Sequence, residues 1–112
     1  MTESAENCIC FQPPFVHTQF ERTSLGVDPQ QGRYADVSLD RCRTCGRPWL
    51  HYHFELEAET ASGRWYRGLL PWDVALDVTA LTAASVLERL PWYFAGGSYF
   101  DSNVHRSSGA LR

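Results

Sequence analysis

The stretch WLHYHFELEAE, Trp49 to Glu59, decides the fold class of this chain. Its even positions (Leu50, Tyr52, Phe54, Leu56, Ala58) are apolar, and its odd positions from His51 onward (His51, His53, Glu55, Glu57, Glu59) are polar. Successive side chains of a strand point to opposite faces, so this period of two predicts a strand with one face in a core. Downstream, Thr60 to Gly63 supplies a polar turn ending in glycine, and Arg64 to Leu70 resumes with Trp65, Tyr66 and Leu69; residues 49–70 therefore read as a hairpin. Upstream, Tyr34 to Asp40 alternates in the same way, with Ala35, Val37 and Leu39 on one side and Asp36, Ser38 and Asp40 on the other. Cys42 to Gly46 joins these two strands, giving a three-stranded antiparallel meander.

Outside the meander the period changes. Leu81, Ala84, Val86, Leu87 and Leu90 fall at helical spacing, with Thr82 or Thr79 able to accept a hydrogen bond from a free amide at the helix start and Pro91 barring continuation. Residues 1–32, broken by Pro13, Pro14, Gly26, Pro29 and Gly32, read as irregular or weakly extended, with a short strand possible over Phe15 to Phe20. Trp92 to Phe100 fits either a last strand or an aromatic loop. The expected fold is an α+β domain over residues 1–100, with a small antiparallel sheet of three or more strands and one helix. Residues 101–112, small and polar, read as a flexible tail.

Length and composition bound what such a domain can be. A chain of 112 residues is one domain, and folding at this size buries roughly two-thirds of the surface an unfolded chain exposes. Its longest apolar runs are interrupted by Pro71, Asp73, Asp77 and Glu88, short of the roughly 20 residues that cross a bilayer. The N-terminal MTESAEN lacks the basic and apolar regions of a secretory signal, so a cytoplasmic, reducing location is expected, where four cysteines favour a metal site over disulfides. All ten basic residues are arginine, and the net charge is −3. Residues 41–70 hold five arginines against three glutamates, so only this middle third could present a positive face.

The cysteines are spaced C-x-C (Cys8, Cys10) and C-x-x-C (Cys42, Cys45), which is the arithmetic of a tetrahedral site built from two close pairs. Gly46 after the second pair allows the chain to turn beneath a metal, and Arg41, Arg43 and Arg47 would favour ionised thiolates. The C-x-x-C-G knuckle between two strands resembles the half-site of zinc ribbons and related treble-clef-like domains. The expected cofactor is one zinc ion at Cys8, Cys10, Cys42 and Cys45, with iron as the alternative metal, and His17 could replace one cysteine. A thioredoxin-type pair would need a helix after its first cysteine and a haem attachment would need C-x-x-C-H; Gly46 and Pro48 stand there instead.

His51, His53 and Glu57 form H-x-H-x-x-x-E, which resembles the first metal-binding motif of the cupins and would imply a catalytic divalent metal. The same alternation follows from burial of the opposite strand face alone, which makes the stripe a solvated polar surface. Arg41, Arg43, Arg47, Arg64 and Arg67 with Trp49, Trp65 and Tyr66 could stack on nucleic acid, but an acidic chain without lysine gains little from counterion release. Trp72, Trp92 and Tyr93 lie beside prolines, in loops rather than on core faces of the strands, either as lids over the core or as contact residues. Exposed tryptophan, tyrosine and arginine are the residue types enriched where proteins meet. The expected role is therefore that of a small zinc-binding accessory protein that acts through another protein, rather than an enzyme.

Overall fold

The computed structural model describes residues 7–13, 15–30, 34–54, 63–97 and 104–111. Six antiparallel strands lie side by side in chain order: β1 (Phe20–Asp28), β2 (Ala35–Cys42), β3 (Pro48–Phe54), β4 (Arg64–Leu69), β5 (Tyr93–Gly96) and β6 (His105–Ser107). The three strands predicted around the knuckle are thus the middle of a longer meander, and the fold is α+β. Two helices, α1 (Trp72–Asp77) and α2 (Ala83–Arg89), fill the connection from β4 to β5. Among the described residues no helix is long and apolar enough to cross a membrane.

The period of two in β3 does what its chemistry requires on one face. Leu50, Tyr52 and Phe54 are buried there with Ala35 and Val37 of β2 and Tyr66 of β4, and α2 closes the layer with Ala83 and Leu87. Each fully buried valine, leucine or phenylalanine side chain among them contributes about 1.5–3 kcal/mol. The predicted helix is α2, and its start is held by reciprocal bonds in which Thr82 N–H donates to Thr79 Oγ1 (3.3 Å) and Thr79 N–H donates to Thr82 Oγ1 (2.9 Å).

The opposite face is a second core rather than a solvated surface. Cys10, Phe11 and Phe15 from the N-terminal segment pack over Phe20, Trp49, Trp65 and Phe94. Rings meet edge-on, with Phe11 and Trp49 centroids 4.9 Å apart and Phe15 and Phe94 5.1 Å apart. Polar side chains caught under this lid must find partners. Asp40, fully buried, accepts from Arg22 Nε and Nη2 and from Arg67 Nη1, each at 2.9 Å, and from Ser38 Oγ at 3.0 Å. Arg67, buried as well, lies over the rings of Phe20 and Phe15. His51 and His53 are accordingly half-buried, which corrects the expected solvated stripe.

Three more expectations change. Residues 20–28, read as irregular or weakly extended, form a full strand, β1: an edge strand exposed over most of its length has no buried side to impose alternation. The expected tail from residue 101 contains β6, and beyond it Leu111 is buried while its N–H donates to Glu88 Oε2 at 3.0 Å. Tyr93 is not in a loop but buried on β5, its hydroxyl donating to the carbonyl of Gly109 at 2.9 Å. The turn expected over Thr60 to Gly63 and the strand residues Glu55 to Glu59 fall outside the described residues, except Gly63.

Candidate metal centre

Two distant segments are shaped so that their sulfurs converge. β2 ends at Cys42, and the turn that follows is closed by Gly46 N–H donating to the Cys42 carbonyl (2.8 Å) and Cys42 N–H donating to the Arg47 carbonyl (3.0 Å). Gly46 takes φ +80°, the left-handed region that side chains with a Cβ disfavour, so the glycine predicted there is required by the backbone. On the other side, Cys8 precedes a 3-10 turn over Ile9–Phe11, closed by Phe11 N–H donating to the Cys8 carbonyl at 3.0 Å. Phe11 anchors this turn on Trp49, and Arg43 N–H donates to the Gln19 carbonyl (2.9 Å), fastening the knuckle to the N-terminal segment.

The four sulfurs lie within 4.8 Å of one another, with Cys8 and Cys42 at 3.7 Å and Cys10 and Cys45 at 3.6 Å. Metal–sulfur bonds of about 2.3 Å in a tetrahedron place sulfurs roughly 3.8 Å apart, whereas a disulfide needs about 2.05 Å. All four thiols are free, so the cluster could hold a metal ion.

The electrostatics are uneven. Burial pushes the Cys10 thiol far up, and the indole of Trp49 only partly opposes this; Trp49 Nε1 is buried with no hydrogen-bond partner placed among the described residues. Burial also raises Cys8. At Cys45 burial is outweighed by hydrogen bonds from the Arg47 amide and guanidinium, which hold the thiol down to about 7. Of the three arginines expected to support thiolates, Arg47 does so, whereas the Arg41 guanidinium sits over the Trp72 ring, 5.1 Å from its centroid. Ionising the two raised thiols calls for a cation among them, since a coordinating thiol is deprotonated by the metal itself.

No protein-family model, curated protein or solved structure matches this chain.

Among the described residues, His17, His51 and His53 belong to no group that could hold a metal ion. The His51 and His53 rings are near-parallel with centroids 6.5 Å apart, and Arg22 Nη2 lies 3.4 Å from His51 Nδ1. Burial, with the Arg67 charge beside it, pushes His51 down to about 3. Glu57 lies outside the described residues, and His17 is exposed, away from the sulfurs. The buried Asp40 and Arg67 went unrecognised in the sequence, although Arg67 within the apolar run of β4 was the available signal.

Proposed function

We propose that Cys8, Cys10, Cys42 and Cys45 bind a single zinc ion as a structural centre, and that the protein acts as a small binding or accessory protein through contact with another protein. The observation that carries the metal reading is the meeting of four sulfurs from two segments 31 residues apart at near-tetrahedral spacing. Separations this short suit one ion; an iron–sulfur cluster would hold its ligands wider apart. Four thiolates fill a tetrahedral shell and leave no position for substrate or water, which argues for a structural and against a catalytic centre.

The expected effect is large. Apparent zinc-binding energies of about 10–16 kcal/mol in small structural sites match or exceed the roughly 5–15 kcal/mol that holds a domain folded. The metal would fasten the lid of the second core, since Cys8 and Cys10 flank Phe11. Elemental analysis of purified protein should find one zinc per chain, and less than a tenth of that in Cys42→Ser and in Cys8→Ser. Metal-free wild type with an unchanged circular dichroism spectrum and melting temperature would overturn the reading, as would iron in place of zinc. Contact with another protein is supported by the exposed Trp72 and Leu76 on α1.

A further inference from the structure

β1 is an outer strand of the sheet, and apart from strand pairing with β2 the backbone of Glu21 to Ser24 bonds nothing among the described residues. Unprotected edges recruit other strands, so folded proteins blunt them by shortness, proline, lysine or a bulge. β6, the opposite edge, has three residues; β1 has nine, without proline or lysine. Besides the charges of Glu21, Arg22 and Asp28, its protective device is the bulge between Ser24 and Gly26, with Gly26 at φ +104°. The bulge leaves an unbroken ladder with β2 from Phe20 to Ser24, and pairing resumes in a shifted register from Gly26 to Asp28.

Beside that straight segment, on the face of the helices, lies a cleft of about 220 Å³ lined by Glu21, Thr23, Leu39, Arg41, Trp72 and Leu76, among others. Small-molecule sites run roughly 300–1,000 Å³, so this one suits a single large side chain. Its lips are apolar and open: Trp72 is 53% exposed and Leu76 85%. Glu21 and Arg41 face each other across β1 and β2, yet form no ion pair, because the guanidinium stacks on Trp72. Among the described residues the Glu21 carboxylate therefore has no cation, at the rim where an added strand would lie.

We propose that β1 accepts an extended segment of another protein as a seventh, antiparallel strand along Glu21 to Ser24, recognised by an apolar side chain in the cleft and a basic side chain two residues later opposite Glu21. Side chains two apart share a face, which places the first opposite Thr23 and the second opposite Glu21. A second copy of this chain does not fit through either edge: Val104 and Arg106 at β6 repeat the pattern, but Val104 packs against the second core and the Arg106 guanidinium stacks on Trp92. Its own apolar-x-basic pattern on β1 is Phe20 and Arg22, of which the first is buried and the second bound to Asp40. The proposal rests on the protein-binding role above and names its surface and the chemistry of its partner.

The test is selection of random ten-residue peptides displayed on phage against the purified protein, with metal content and circular dichroism recorded for every variant. Enriched peptides should share apolar-any-basic, and a synthetic copy should bind at least tenfold more weakly to Leu76→Asp and to Glu21→Arg. Replacing the peptide's basic residue by glutamate should restore binding to Glu21→Arg. Enriched peptides that bind both variants as well as wild type would overturn this surface while leaving a protein-binding role intact. Enrichment of no peptide would overturn both, and a wild-type dimer dissociated by Leu76→Asp would assign the cleft to a second copy and overturn the proposed partner.

Discussion

Asp40→Asn tests whether the charges beneath the N-terminal lid hold the sheet together. The carboxylate is fully buried and takes four hydrogen bonds, three from guanidinium groups. The asparagine amide keeps one acceptor oxygen and turns an NH2 group toward donors. The two arginines lose unequally. Arg22 has 49% of its side chain exposed, so its share is up to about 1 kcal/mol. Arg67 has 5% exposed and is left as a buried charge without a counter-ion, a change that costs about 3–5 kcal/mol. The sum is a large part of the roughly 5–15 kcal/mol available to a domain and corresponds to a melting temperature lower by roughly 12–25 °C. Urea unfolding followed by tryptophan fluorescence, with zinc in the buffer, measures it. Adding Arg67→Met removes the stranded charge and should recover at least half of the loss. An Asp40→Asn protein within about 1 kcal/mol of wild type would refute the assignment of the network as a structural tie.

The pH dependence separates a half-buried group from a fully buried one. His51 has its pKa pushed down to about 3 by burial and by Arg67, with Asp40, Arg22 and His53 the other charged or titratable groups acting on it. The unfolded chain thus binds a proton near pH 6.5 that the folded chain refuses, so the stability His51 contributes is complete above about 6.5 and is lost as pH falls toward 3. Between pH 7.5 and 5.5 wild type should lose stability faster than His51→Gln, by up to about 1.4 kcal/mol per pH unit, and equal slopes would contradict this. Asp40 is opposite in kind: burial raises its pKa, but Arg22 and Arg67 hold it below the usual carboxylate range. Its contribution persists down to about pH 4 and is lost as pH falls through its folded pKa. Gly46→Ala forces a Cβ into the left-handed region and should lower stability by about 1–2 kcal/mol, read from chemical unfolding, without abolishing metal binding. Gly96→Ala would drive a Cβ into the buried Trp65 indole; the expected cost is about 1–3 kcal/mol with a shifted Trp65 emission, and an unchanged midpoint would show that the ring has room.

The sequence by itself determined the elements whose periodicity is imposed by a single continuous core. The alternation of β2 and β3, the helical spacing around Leu87, and the glycine of the knuckle each follow from local chemistry, and so does the choice of four thiols as the set to bring together. Tertiary structure decided everything that depends on what covers a surface. The face bearing His51 and His53 looks solvated in sequence because its residues are polar; only the folded chain shows Phe11 and Phe15 laid over it and Asp40 and Arg67 paired beneath. β1 left no periodic trace because its side chains are mostly exposed, and the segment from 104 to 111 looked loose because small polar residues pair through their backbone rather than their side chains. Local pattern records burial on one side of an element; it does not record which distant segment supplies the other side.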